Sequence, residues 1–441
     1  MKRARTRSIP AFLIALAVTA VPAAAAASDA PVALRAGRLI DGTGRPPVND
    51  VVILIQGGRI TAVGRDVPVP AGAKVIDLGA ATVLPGLIDS HIHLTGRHIG
   101  EGDNWEDSAV RDLPQADAIR GVRNARLTLE AGFTTVRNVG ADDFSDVALR
   151  DMIAQGVVPG PRILAGGHSL GITGGHCDTN GFRPGIFDPD IRRGVADGID
   201  HVTASVRYQI KQGADVIKFC ATGGVLSEGD AVGVQQYSLD EMSAIVAAAH
   251  MAERKVAAHA HGNEGIRVAV AAGVDSIEHG STLDDETIAT MKKRGTFLVP
   301  TLMAQEAVES QARTGILTGL RAEKALFIAP IARRSFGTAV RAGVKIALGT
   351  DAGVFPHGTN GREFRLMVDN GMDPMAAIVA GTSSAAQLLG LEAQIGTIET
   401  GKTADIIAVA GNPLDDISLL ERVGFVMQAG VVVADGIHGT R

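Results

Sequence analysis

The chain has 441 residues, 46% of them apolar but only 3% aromatic, so it can bury a large core and must build it from Ala, Val, Ile and Leu. Its formal net charge of −6 argues against nucleic acid as a partner. It has only two cysteines, Cys177 and Cys220, in separate loop and strand contexts. They are read as small buried thiols, and no disulfide framework is expected.

Residues 1–27 carry Lys2, Arg3, Arg5 and Arg7, then an apolar run over 11–18, then an alanine tract. That is the pattern of a cleaved secretory signal peptide, so a periplasmic or secreted protein is expected. The apolar run is about half the length that a membrane span needs. No membrane partner is expected for the mature form. Loss of residues 1–27 removes four positive and no negative side chains, which takes the formal net charge from −6 to −10.

Residues 28–83 hold short strand-like runs, with Gly57-Gly58 as a hairpin signal. Residues 391–441 have the same texture, so one small β-sandwich assembled from both termini is expected, with a structural task. From 84 to 390, apolar runs alternate with helical stretches, the signature of a parallel sheet of βα units. Strands are expected near 83–93, 133–139, 162–166, 215–220, 256–261, 276–279, 296–301 and 345–351. Helices are expected between them at 116–131, 198–212, 239–254, 264–272, 284–294 and 323–342. The fold class is therefore α/β, a (β/α)8 TIM-like barrel whose chemistry sits at the C-terminal strand ends.

His91 and His93 stand two residues apart at the end of the first barrel strand, so they project from one face. A solvated strand face would explain that pair alone, but not the other histidines. Of the 12, His168, His259, His261 and His279 also fall at strand ends or just beyond, His176 follows in the loop after His168, and only His250 reads as clearly helical. A metal centre built from several strands explains the clustering. Lys218 sits in an apolar strand, where an ammonium is costly unless paired with an acid or neutralised. A buried lysine amine can add carbon dioxide, and the resulting carbamate can bridge two metal ions. Asp351 ends Gly349-Thr-Asp on the last strand, where a carboxylate can ligate a metal and accept a proton from water. The six ligands His91, His93, Lys218, His259, His279 and Asp351 would overfill one ion that keeps a position for water; two divalent ions fit them.

The order of His-x-His, a strand lysine, two later strand-end histidines and a final Gly-Thr-Asp resembles the amidohydrolase superfamily, over nearly the whole chain beyond residue 27. Val216-Ile-Lys-Phe-Cys-Ala-Thr-Gly-Gly, Gly167-His-Ser-Leu-Gly-Ile-Thr-Gly-Gly-His, Val256-Ala-Ala-His-Ala-His-Gly and Ser276-Ile-Glu-His-Gly resemble its imidazolonepropionase-like metallopeptidase branch. That branch includes Xaa-Pro and other Xaa-amino-acid dipeptidases and the bacterial amidohydrolases that split ochratoxin A, which look most similar. The resemblance implies a binuclear zinc site with an N-carboxylated Lys218. It also implies hydrolysis of a small-molecule amide whose leaving amine is an amino acid with a free carboxylate. Relatives often assemble as multimers, so a homo-oligomer is expected. Mononuclear deaminases and imidazolonepropionases usually place a glutamate three residues after the strand-five histidine. Here that position is Gly262, and Glu264 opens the next helix. Amide hydrolysis is therefore favoured. The rival from another class, a secreted metal-binding protein without turnover, has no use for an acid at the place of Asp351.

The substrate-facing shell is read from the loops. Tyr237, after the fourth strand, is expected to donate to the oxyanion, a role the resemblance supports against that of a packing aromatic. His168 and His176 are expected to bind the substrate carboxylate or acyl group, and His261 to stand beside His259 outside the ligand set. Arg137 or Arg362 is expected to pair with the substrate carboxylate, because a guanidinium does so bidentately. Loop 98–112, with Trp105, is expected to flank the leaving-group pocket, and the glycine-rich loop 167–197 to act as a lid.

Overall fold

The computed structural model describes residues 30–101 and 105–437. The expected signal peptide lies outside them, as does the side chain of Trp105. Five strands lead: β1 (Val32–Leu39), β2 (Val48–Gln56), β3 (Arg59–Gly64), β4 (Lys74–Asp77) and β5 (Thr82–Pro85). The barrel follows with β6 (Leu87–Ile92), β7 (Phe133–Asn138), β8 (Arg162–Ala165), β9 (Val216–Cys220), β10 (Lys255–Ala260), β11 (Ser276–His279) and β12 (Phe297–Val299). Three strands end the chain: β13 (Ile406–Val409), β14 (Phe425–Gln428) and β15 (Val431–Asp435).

The barrel strands pair in parallel as β6-β7-β8 and β9-β10-β11-β12. Two seams close the circle. At one, Asp215 N donates to Ala165 O at 2.7 Å and Leu170 bridges Phe219. At the other, segment 345–352 bridges Leu298 through Ile346 and Ile92 through Ala352. This eighth stave is irregular for a physical reason. Gly349 packs so closely on His91 that an added Cβ would stand 2.8 Å from the His91 Cβ, and Asp351 has φ of 63°.

Strands β6, β7 and β9 are buried at every residue, as strands covered on both faces must be. The covering helices start and stop where the sequence provides caps. Helix Leu239–Met251 opens on a reciprocal capping box between Ser238 and Glu241. Helix Asp285–Arg294 opens on the Asp284 side chain and ends on Gly295 at φ of 73°. His201 lies in helix Ile199–Lys211, so His250 is not the only helical histidine. Among the described residues no helix is long and apolar enough to cross a membrane.

The terminal strands form one eight-stranded sheet along the path β15-β14-β13-β5-β1-β2-β3, with β4 paired to β1. The two expected layers are thus a single sheet that curls back on itself. Arg59 at the start of β3 bridges Thr403 just ahead of β13, around a core that includes Leu34, Ile53, Ile60, Val83, Ile406 and Phe425. The run expected as one strand over 83–93 divides at Gly86. Thr82–Pro85 belongs to the terminal sheet, and the barrel begins with Leu87.

Candidate active site

Register places the ligand-type side chains. Lys218 on β9 pairs with Ala257 on β10, His259 with Glu278 on β11, and Ala260 with His279. Side chains two apart share a face, so Lys218 and Cys220 point the same way, as do His259 and His261. Across the barrel, the Nε2 atoms of His91 and His93 each stand 3.4 Å from Asp351 Oδ1. Asp89 braces this junction: its buried carboxylate accepts Thr350 N at 3.0 Å, Thr350 Oγ1 at 2.6 Å and Asn360 Nδ2 at 2.8 Å.

The imidazoles are oriented through their Nδ1 atoms. His91 Nδ1 meets Glu278 Oε2 at 2.7 Å, His93 Nδ1 meets Gly140 O at 3.0 Å, and His279 Nδ1 meets Thr301 Oγ1 at 2.7 Å. His261 Nδ1 meets Ser281 Oγ at 2.7 Å. A donor spent at Nδ1 leaves a lone pair at Nε2, the form that ligates metals. Burial drives the imidazolium forms down, to about 4 for His93, to about 3 for His261, and well below the usual value for His259 and His279. Burial likewise pushes the Lys218 ammonium to about 8, against the pull of Glu278 and Asp351. Burial would raise the Asp351 carboxyl, yet the charges of His91, His93 and Lys218 hold it below the ordinary range.

This donor set fits divalent cations. Ligand atoms of His91, His279 and Asp351 lie within 4.8 Å of one another, and so do those of His259, His261 and His279. His259 Nε2 is buried with no hydrogen-bond partner, a costly state that an electrophile would relieve. His279 and Asp351 hold φ of 72° and 63°, which costs a non-glycine residue about 1–3 kcal/mol and is commonest at functional sites. His261 sits as close to His259 and His279 as a ligand would.

His91, His93, Lys218, His259, His279 and Asp351 line one cavity of about 280 Å³ together with His176, His261 and Arg97. A larger space of about 680 Å³ adjoins it and shares Arg97, Ile99 and Leu226. Four expected substrate contacts lie elsewhere. Tyr237 is fully buried in the core, and its hydroxyl donates to Ala196 O at 3.1 Å, so it has no proton left for an oxyanion. Arg137 is buried inside the barrel, where it donates to Glu278 Oε1 at 2.8 Å and to Ser276 Oγ at 3.0 Å. Arg362 opens helix Arg362–Asp369 and forks onto Glu306 at 2.6 and 2.8 Å. His168 accepts Asp143 N at 3.1 Å and packs edge-on against Phe144.

The cysteines also correct an expectation. Cys177 and Cys220 form a disulfide with Cα atoms 5.9 Å apart. Together with the Leu170–Phe219 bridge it pins the base of loop 167–197 to β9, so these anchors cannot swing as a lid. Sequence reasoning also passed over Glu278, although it lies inside the Ser276-Ile-Glu-His-Gly segment, and over Arg97. An acid one residue before His279 points away from it along a strand, and only the closed barrel shows that Glu278 on β11 reaches across to His91 on β6.

Comparison with known proteins agrees with this geometry. Residues 82–433 match the amidohydrolase family. The chain is 33% identical over 410 residues to ochratoxinase of Aspergillus niger, covering 88% of this chain and 82% of that protein. It is similar to the crystal structure of a Xaa-Pro dipeptidase with bound methionine in the active site, at 40% identity and a TM-score of 0.87, over 91% of this chain and 99% of that one. It is also similar to the crystal structure of a prolidase complexed with N-methylphosphonate-L-proline, at 32% identity and a TM-score of 0.85, over 92% of this chain and all (100%) of that one. By the barrel, the strand-end histidines and this match over most of its length, the chain belongs to the amidohydrolase family of amide-hydrolysing enzymes.

Proposed function

We propose that the enzyme holds two divalent ions, zinc by the histidine-rich donor set, through His91, His93, N-carboxylated Lys218, His259, His279 and Asp351. In this reading it releases the C-terminal amino acid from N-acyl amino acids and dipeptides, ochratoxin A, an acylated phenylalanine, among them. The observation that carries the reading is the convergence of those six side chains on one 280 Å³ cavity. When bound, the ions lower the pKa of water and polarise the scissile carbonyl. Asp351 accepts the proton of the attacking water on its carboxylate and returns it to the leaving nitrogen. His176 and His261 flank the scissile bond, and Arg97 receives the substrate carboxylate. The adjoining 680 Å³ space takes a bulky acyl group.

A narrower reading, an Xaa-Pro or other Xaa-amino-acid dipeptidase, is supported by the 40% identity to a Xaa-Pro dipeptidase. One experiment separates the two. The protein is produced with zinc, its metal counted per chain, and a panel of ochratoxin A, acyl-phenylalanines and Xaa-Pro dipeptides assayed. Cleavage of the acyl-phenylalanines supports the broad reading, and cleavage of dipeptides alone supports the narrow one. No hydrolysis with two ions bound overturns both.

Secretion is supported by the pattern of residues 1–27 and by the disulfide, since disulfides persist in oxidising compartments. N-terminal sequencing of exported protein tests it, and an uncleaved cytosolic product would refute it. A homo-oligomer is the companion expectation, tested by sedimentation velocity.

A further inference from the structure

We infer that Ser227, Asp230 and Lys324 form a positioning relay that fixes His176 so that its Nε2 accepts the scissile N–H of a secondary-amide substrate. The inference rests on the amide-hydrolase reading and deepens it by assigning a substrate class. Lys324, on the long helix Gly319–Ala342, is 5% exposed. Its Nζ donates to Asp230 Oδ1 at 3.0 Å and to the carbonyls of Ser227 and Asp230 at 2.8 and 3.1 Å. Asp230 in turn accepts the Ser227 hydroxyl at 2.6 Å, Gln236 Nε2 at 3.1 Å and Gly224 N at 3.3 Å.

A serine hydroxyl has one proton to give. With that proton on the Asp230 side, Ser227 Oγ accepts from His176 Nδ1, 2.7 Å away. The tautomer is then set, with the proton on Nδ1 and the lone pair on Nε2. Nδ1 is occupied, so Nε2 is the nitrogen left for the cavity that His176 lines.

The ring is also held in place. It stacks on His259 with centroids 4.2 Å apart and 29° between planes, and Gly224 lies so close that an added Cβ would collide with three of its ring atoms. The backbone is tied as well: His176 N donates to Gln236 Oε1 at 3.1 Å, and the next residue, Cys177, is cross-linked to Cys220. An imidazole that offers only a lone pair cannot donate to an oxyanion; it accepts. A secondary amide brings a donor on the scissile nitrogen, whereas an ester does not.

The test uses zinc-loaded Ser227→Ala and Ser227→Thr with an acyl-phenylalanine and its ester analogue, in which oxygen replaces the scissile N–H. Ser227→Ala is expected to lose about tenfold in kcat/KM on the amide, roughly one hydrogen bond's worth, and less than about twofold on the ester. Its metal content stays at the wild-type level, and Ser227→Thr restores the amide rate. Equal losses on both substrates, loss of metal, or no loss at all overturns the relay. Should Ser227→Ala not fold, Asp230→Asn is expected to show the same amide-selective loss. If the wild type cleaves neither substrate, the hydrolase reading falls by itself. The relay is then judged by 15N resonances of the His176 ring: a proton on Nδ1 supports it, and a proton on Nε2 overturns it.

Discussion

The Glu278 carboxylate lies 2.7 Å from Nδ1 of His91, with both side chains buried, and this contact decides which nitrogen His91 turns toward Asp351. Arg137 holds the other carboxylate oxygen at 2.8 Å. Burial would raise the Glu278 carboxyl, but Arg137 and His91 hold it down at about 2, so it stays an acceptor. The strand-end histidine is thus only half of a device whose other half sits on β11.

Glu278→Gln keeps the shape and removes the charge. Metal affinity is expected to fall by about 10–100-fold, the usual cost of losing a partner behind a ligand histidine, as read by chelator competition. The pH dependence has a definite sign. A carboxyl depressed on folding contributes stability above its unfolded value and loses it as pH falls toward the folded value of about 2. The gap in urea midpoint between the wild type and Glu278→Gln should therefore narrow as pH falls from about 5, near the unfolded value. A gap that stays constant would remove the ion pair as its source.

Lys218 shows the opposite sense. Its amine falls from 10.5 to about 8 through burial, so between those values the unfolded chain binds the extra proton and metal-free stability rises with pH. Carbon dioxide adds to the neutral amine, while burial holds His93, His259, His261 and His279 below the usual imidazole range. Zinc reloading of stripped protein in bicarbonate is expected to be roughly tenfold or more faster at pH 8 than at pH 6. Lys218→Ala is expected to lose metal and activity together. Full retention of both would remove the carbamate.

The sequence made legible the barrel and the gathering of His91, His93, Lys218, His259, His279 and Asp351 at its strand ends, because both depend on local rules. Period-two alternation placed His91 with His93, and buried apolar runs ended where the polar residues began. What stayed hidden depends on partners far away in the chain. Arg137 looked available at a strand end, but Glu278, across the barrel on β11, consumes it. Tyr237 looked exposed in a loop, but Ala196 O takes its proton. The eighth stave was visible, whereas its irregular backbone comes from packing of Gly349 on His91.

Cys177 and Cys220 illustrate the same limit, since 43 residues separate them and no local pattern pairs them. Closing a loop of that length is worth up to about 4 kcal/mol in chain entropy. Reduction, or Cys177→Ser, is expected to lower Tm by several degrees and to reduce turnover, because the bond joins the residue beside His176 to the strand of Lys218. Calorimetry and initial rates with and without a phosphine reductant provide the measurement. An unchanged Tm in the variant would show that the Leu170–Phe219 bridge and the His176 N–Gln236 contact anchor the loop without the disulfide.

Among the described residues, Arg97 is the arginine that lines the cavity of His91, Lys218 and Asp351, and it also reaches the larger one. Its Nη2 pairs with Asp112 at 3.1 Å, while Arg120 approaches the same carboxylate oxygen at 2.6 Å. Arg120 also pairs with Asp117 at 3.1 Å, so Arg97 is oriented by a single contact to a shared oxygen, a geometry that suits a guanidinium fork turned toward a substrate carboxylate. Arg97→Ala is expected to raise KM for an acyl-phenylalanine about tenfold with kcat nearly unchanged, the pattern of lost uniform binding. The corresponding acyl-phenylalanine amide, which lacks the carboxylate, should be hydrolysed by the wild type and Arg97→Ala alike. Arg97→Lys should recover only part of the loss, since an ammonium cannot fork onto both oxygens. Equal damage to acid and amide would place Arg97 in the framework of loop 98–112 instead of against the substrate.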